Sequence, residues 1–256
     1  MPYTNEQKLH AKLTRRFHKA CADYGLIADG DHILIGLSGG KDSLALTELL
    51  GQRARIHVPR FKVSALHVRV KERDYQTDLS YLESFCAEAG VPLIIRDTEI
   101  GENPKSPITN HKSQIENPCF LCSWYRRKTL FNVAQELGCN KIAFGHHRDD
   151  LIQTMLMNLI YQGTFATMPP VLQLEKMPLQ IIRPLCLIDE ADLIAYAALR
   201  NYRKQPKLCP FEHVSAREKA KDLLEHIKTL NPEAIDSMFG AMTNIKTDYL
   251  PQIIAK

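Results

Sequence analysis

No stretch of this 256-residue chain approaches the roughly 18 apolar residues of a membrane-spanning helix. The first residues, Met1 to Leu9, are polar, unlike a secretory leader, so a soluble protein of the cytoplasm with no membrane partner is expected. The sequence has no internal repeat, which excludes solenoids and propellers. It has seven cysteines, an odd number at spacings unlike a disulfide framework, which argues against a small secreted scaffold. Charged residues make up only 24% and hydrophobic ones 45%, which excludes a disordered chain. The net charge of +4 permits an RNA partner without demanding one.

What is present is an alternation. Leu9, Leu13, Phe17, Ala20 and Tyr24 recur at helical spacing, so residues 4–24 read as a helix. Ile33-Leu34-Ile35-Gly36-Leu37 is a short apolar run between Asp31 and Ser38 and reads as a buried parallel strand. Helix is expected at 42–51, strand at 63–70, helix at 75–90 and strand at 93–95. A long polar stretch, 97–118, follows. Then come helix at 121–138, strand at 141–145, helix at 149–161, strand at 180–183 and helix at 189–200. The pattern predicts an α/β fold, a parallel sheet with helices on both faces. The last 50 residues carry no strand signal; 217–230 and 232–245 read as helices. The expected organisation is an N-terminal helix (1–28), an α/β domain (29–204) and a C-terminal helical region (205–256).

Ser38-Gly39-Gly40-Lys41-Asp42-Ser43 falls where the first strand turns into a helix. Two glycines let the backbone approach an anion, and the helix start adds N–H groups and the positive end of its dipole. Ser38, Lys41 and Ser43 add further donors, completing a phosphate cradle. It is not the common P-loop, because Asp42 separates Lys41 from Ser43, and the three-glycine dinucleotide spacing is absent. A second polar run, Gly145-His146-His147-Arg148-Asp149-Asp150, follows a later strand. Its adjacent carboxylates suit Mg²⁺, which takes one or two carboxylates along with phosphate oxygens.

Cys119-Phe120-Leu121-Cys122 is the one CxxC. Cys21, Cys86, Cys139 and Cys186 lie in or beside helix and strand patterns, as packing thiols do. Cys209 sits in a proline-flanked turn, Gln205-Pro206-Lys207-Leu208-Cys209-Pro210. Three thiolates suit a [4Fe–4S] cluster with one open iron. The same set with His213 suits zinc, and the CxxC alone suits a redox disulfide. Spacing leaves the three open.

The hexapeptide from Ser38 to Ser43 resembles the signature of the PP-loop ATP pyrophosphatase superfamily, whose members split ATP between the α- and β-phosphates. Within it, several stretches are similar to the tRNA 2-thiocytidine synthetase family: Leu37 to Ser43, the Cys119–Cys122 pair followed by Arg126, Arg127 and Lys128, and Gly145 to Asp150. Met168-Pro169-Pro170, Arg183-Pro184-Leu185 and Met238-Phe239-Gly240-Ala241-Met242 also match, so the likeness covers nearly the whole chain. The resemblance implies a Rossmann-like fold of the adenine nucleotide alpha hydrolase type. It implies catalytic roles for Lys41, Asp42, Asp149 and Asp150, with Mg²⁺ on the last two. ATP is expected on Ser38, Gly39, Gly40, Lys41, Asp42, Ser43, His67 and Gly145. It also implies a [4Fe–4S] cluster on Cys119, Cys122 and Cys209; the family commonly shows two cysteines around the third position, and here Cys209 stands alone. The implied partners are tRNA, a sulfur donor such as a cysteine desulfurase, and a second copy of the chain in a homodimer.

Basic residues gather at Arg15, Arg16 and Lys19, around 53–62, at 69–73, at Arg126 to Lys128, and at Lys204 and Lys207. Trp124 and Tyr125 interleave with the group beside the CxxC, as stacking on a splayed loop base requires. Rival readings are 2-thiouridine or lysidine synthesis on tRNA and a non-catalytic nucleotide-binding or electron-transfer module. A thiouridine-forming relative usually carries N-terminal cysteine pairs, whereas this N-terminus has only Cys21.

Overall fold

The computed structural model describes residues 4–71, 77–100, 118–205 and 216–251. Strand β1 (His32–Gly36) is central, and its Ile33, Leu34 and Ile35 are wholly buried. A strand covered on both faces needs this unbroken apolar run. On one side β1 pairs in parallel with β2 (Lys62–Val70), which pairs in parallel with β3 (Leu93–Thr98). On the other it pairs in parallel with β4 (Lys141–Ala143), and β4 with β6 (Gln180–Ile182). In register, Gly36 lies opposite Leu66, whereas β2 and β3 run on together until Val70 meets Thr98.

With Val171–Gln173 as β5, the sheet order is β3-β2-β1-β4-β6-β5. The expected parallel sheet is found in five strands, and the edge strand β5, for which the sequence carries no signal, adds to it antiparallel to β6. Its three residues are half-buried or exposed and follow two prolines, which leaves no apolar run to read.

Helix α1 (Asn5–Asp23) opens with a capping box in which Thr4 and Gln7 satisfy each other's backbone N–H. Helix α2 (Lys41–Ala54) follows β1, α3 (Leu79–Ala89) follows β2, and α4 (Pro118–Glu136) precedes β4. Helix α6 (Glu190–Leu199) follows β6. On one face of the sheet Leu34, Leu66 and Ile142 pack with Leu130, Val133 and Ala134 of α4. Side chains alternate along a strand, so Ile33 and Ile35 point to the opposite face, where α2 packs. Helices α3 and α6 lie against α2, and α1 lies against α6.

A buried ion pair braces the amino end of the sheet. Lys141 Nζ lies 2.7 Å from Asp31 and also donates to the Leu26 carbonyl, while the Asn140 amide donates to Asp31.

The chain divides into two compact units. The second comprises Arg148–Met168 with Ser215–Lys256 and holds α5 (Arg148–Gln162), α7 (Ala216–Leu230) and α8 (Ala234–Ala241). Ile152, Met155 and Leu156 of α5 form its core with Leu224 and Ile235. Thus α5 groups with the terminal helices, through an apolar stripe whose partners lie some 70 residues further along the chain. Among the described residues no helix is long and apolar enough to cross a membrane.

Candidate active site

The strand order reverses between β1 and β4, where open α/β sheets bind ligands at their carboxyl ends. The Ser38–Ser43 loop leaves β1 at this point. Gly39 has φ +81°, a left-handed conformation natural to glycine. Gly40 is the N-cap of α2 and, having no side chain, brings no capping oxygen to the first-turn amides.

The loop is held from within. The Gly40 amide donates to Ser38 Oγ, and Ser43 Oγ donates to the Gly40 carbonyl at 2.9 Å. Because Ser43 spends its proton there, the 3.1 Å contact between the two serine hydroxyls has Ser38 as donor.

Gly145 from β4's exit lies against this loop. A Cβ at position 145 would sit 2.9 Å from the Asp42 carbonyl carbon and 3.1 Å from the Ser43 nitrogen. The two sequence motifs therefore meet backbone to backbone, which only glycine allows at that point.

His67, near the carboxyl end of β2, is buried and donates from Nδ1 to the Leu37 carbonyl at 2.9 Å. Burial pushes its pKa below the ordinary imidazole value against the opposing effect of the Leu37 bond, and the Arg126 and Arg69 charges push it lower still. A neutral ring with Nδ1–H leaves Nε2 as an acceptor. Lys41 Nζ donates to Asp42 at 3.1 Å and to Glu190 at 3.4 Å. Burial acts to lower its pKa, but the two carboxylates outweigh burial and raise it, so Lys41 stays a cation.

Two residues at this loop lie outside both the Ser38–Ser43 and the Gly145–Asp150 motifs. One is Glu190. The other is Gln205, whose Cγ would lie 3.0 Å from a Cβ on Gly39 and whose carbonyl accepts from the Asp78 amide. Their contacts span more than 120 residues of chain, and no local pattern announces them.

Cys119 and Cys122 lie in the first turns of α4, and Arg126 follows Cys122 by one turn. Spacings of three and four place all three on one helix face. The Arg126 charge acts on His67 near the carboxyl end of β2. Cys122 is half-buried and reduced. Cys209, His213 and Lys207 lie outside the described residues, and the Cys119 side chain is likewise not described. Among the described residues no three His, Cys, Asp or Glu side chains converge as a metal site. A thiol pair one turn apart on one helix is a donor set suited to a cluster.

The remaining cysteines behave as packing thiols. Burial pushes the pKa of Cys21 and Cys186 up to about 12 and that of Cys86 and Cys139 up to about 11, so none is a ready thiolate. Further along α4, Trp124 and Tyr125 meet edge to face at 4.8 Å, the Lys128 ammonium lies 5.2 Å from the Trp124 ring centre, and Arg127 is exposed.

In the second unit, Asp149 and Asp150 occupy the first turn of α5. Asp149 is buried and accepts from Lys228 Nζ at 3.3 Å; Arg217 lies 3.9 Å from Asp150. Arg148 donates to Asp236 of α8.

A family model described as a PP-loop domain matches residues 8–204, which defines the class to which this fold and glycine loop belong. The tRNA-cytidine(32) 2-sulfurtransferase of Nitrosospira multiformis is 35% identical over 247 residues, covering 96% of this chain and 81% of that protein. The protein of the same name from Aliivibrio salmonicida is 36% identical over 249 residues, covering 96% and 78%. The chain belongs to this family of PP-loop tRNA-cytidine 2-sulfurtransferases. Among solved structures, the U34-tRNA thiolase NcsA from Methanococcus maripaludis, with its [4Fe-4S] cluster, superposes with a TM-score of 0.74 at 26% identity. The match covers 94% of this chain and 80% of that one.

Proposed function

We propose that this chain is an ATP-dependent tRNA thiolase that converts an anticodon-loop cytidine to 2-thiocytidine in the cytoplasm. The observation that carries the reading is the closed phosphate loop at the switch point of the sheet, in a chain of this family. Ser38, Gly39, Gly40 and Ser43 cradle the phosphates, and Lys41 offsets the charge that develops as pyrophosphate leaves. The C2 oxygen of the cytidine attacks the α-phosphorus, the bond to pyrophosphate breaks, and C2 carries an adenylate. Sulfide adds to C2 and AMP departs with the original oxygen. Cys119, Cys122 and Cys209 are the residues that would hold a [4Fe–4S] cluster, which when bound would provide an open iron to carry sulfur to the substrate.

The neutral His67 imidazole offers Nε2 as an acceptor for the nucleotide. Asp149 and Asp150 are the Mg²⁺ ligands in this reading, which is supported by two adjacent carboxylates in the first turn of α5, the donor type that Mg²⁺ takes along with phosphate oxygens. Arg127 and Lys128, with Trp124 and Tyr125, present a basic and aromatic face to the RNA loop. A sulfur donor such as a cysteine desulfurase and a second copy of the chain complete the reading.

The test is mass analysis of nucleosides from tRNA of a deletion strain with and without this gene. Restored 2-thiocytidine supports the proposal. Restored 2-thiouridine alone would keep the ATP chemistry and overturn the substrate; ADP and phosphate as ATP products in vitro would overturn the mechanism.

A further inference from the structure

Helix α6 reaches the phosphate loop from a part of the chain with no recognisable nucleotide motif. Its N-terminus carries Asp189, Glu190 and Asp192, a charge distribution that suits the helix dipole. Arg16 of α1 donates to Asp189, and Lys12 of α1 donates to Asp192 at 2.8 Å. Glu190 instead reaches the Lys41 ammonium. Farther along, Tyr196 and Arg200 hold the buried Glu48 of α2 at 3.0 and 3.1 Å, and Tyr202 donates to the same carboxylate at 2.6 Å. The helix is thus fastened to α1 at one end and α2 at the other. Glu190 is presented on a braced element, and the Lys41 and Glu190 side chains are only 28% and 18% exposed.

We propose that Glu190 is a positioning residue that acts through Lys41; the inference rests on the reading of Lys41 as a phosphate-binding residue. An ammonium has three N–H bonds on a flexible four-carbon stem. Asp42 is the next residue on the same helical turn and moves with Lys41, so on its own it fixes nothing relative to the sheet. Glu190 comes from a separate helix and supplies that outside reference. With two of the three N–H bonds directed at Asp42 and Glu190, the direction of the third is set, and it is the one a phosphate oxygen takes. Glu190 need not touch ATP to do this.

The experiment is a double-mutant cycle on the cluster-loaded enzyme, following pyrophosphate release with tRNA and ATP. It compares the wild type with Glu190→Gln, Lys41→Ala and the double variant. Glu190→Gln should lower kcat by about tenfold, as expected when a catalytic group is misoriented, and leave KM for ATP within about threefold. Adding Glu190→Gln to Lys41→Ala should cause no further loss, because a residue that acts through Lys41 has nothing left to position. Losses that multiply in the double variant would show that Glu190 merely braces the fold and would overturn the proposal, as would a Glu190→Gln enzyme at wild-type rate. If Glu190→Gln fails to fold, Glu190→Asp, which keeps the charge but shortens the reach, carries the same cycle. A folded, loaded wild type that releases no pyrophosphate would overturn the functional reading and this proposal with it; an active wild type with an unimpaired Glu190→Gln overturns this proposal alone.

Discussion

Gly145→Ala tests whether the two loops meet as described. Gly145 does not occupy the left-handed region, so alanine is conformationally permitted and the added methyl alone decides the outcome. That methyl would stand 2.9 Å from the Asp42 carbonyl carbon, 3.0 Å from its oxygen and 3.1 Å from the Ser43 nitrogen. Favourable carbon contacts begin near 3.5 Å, so the backbones must part by roughly 0.5–1 Å. No side-chain rotation relieves this, since every close neighbour is main chain. Overpacking of this kind costs about 1–3 kcal/mol, which in a protein of this size lowers the melting midpoint by roughly 2–12 °C. The displaced atoms belong to the first turn of α2, whose amides would face the phosphates under the proposed function. A shift approaching 1 Å there should lower kcat/KM for ATP by about 10- to 100-fold. Gly163→Ala is the control: Gly163 has φ +62° and no atom within 4 Å of the place a methyl would take, so alanine there meets backbone strain of about 1–2 kcal/mol and no clash. Calorimetric melting with pyrophosphate-release kinetics on both variants separates the two effects. A Gly145→Ala enzyme with wild-type ATP kinetics would refute the contact between the loops.

Three further outcomes are expected. Anaerobically purified protein should be brown with about four irons per chain; alanine at Cys119, Cys122 or Cys209 should abolish the colour, and Cys86→Ala should not, while stoichiometric zinc would contradict the cluster. Because His67 has a lowered pKa when folded, the unfolded chain takes up its proton first as pH falls below about 6.5, so stability declines on acidification. His67→Gln should shrink the loss of melting temperature between pH 7.5 and 5.5, and an unchanged loss would show that other groups set it. Arg127→Ala and Lys128→Ala should weaken tRNA binding and flatten its salt dependence while leaving iron content intact; a slope equal to wild type in a filter-binding titration would remove this face from the RNA interface.

The central half of the fold is readable in the chain because its physics is local. An apolar run such as Ile33-Leu34-Ile35, covered on both faces, must be a buried strand, and the glycines and serines that follow it announce a tight anion-facing turn. The antiparallel edge β5 is not readable, because three partly exposed residues carry no periodicity. The grouping of α5 with α7 and α8 is equally hidden: the 3.6-residue stripe of Ile152, Met155 and Leu156 shows that a partner exists but not that it is Leu224 and Ile235. The site shows the same division. Ser38 to Ser43 and the cysteine pair are local patterns, whereas Glu190 and Gln205 gain meaning only from where β6 and α6 deliver them. The role of Gly145 is half legible: a glycine after a strand suggests a turn, but its backbone contact with Asp42 depends on β1 and β4 being neighbours.

The unequal strand lengths give the site a handedness. Beyond the point where β1 stops at Gly36, opposite Leu66, the β2–β3 ribbon continues for four more residues, an overhang of about 13 Å. Two ion pairs, Arg69 with Asp97 and Lys71 with Glu99, stitch its rungs together. On the other flank β4 ends at Ala143 and β6 at Ile182, with no such projection. The carboxyl edge of the sheet is therefore a step with a parapet on one side, and His67 lies at the foot of it. If the loop from Ser38 to Ser43 binds nucleotide as proposed, a flat base lowered beside it would meet the β2–β3 ribbon along one margin, and its two faces would not be equivalent on arrival.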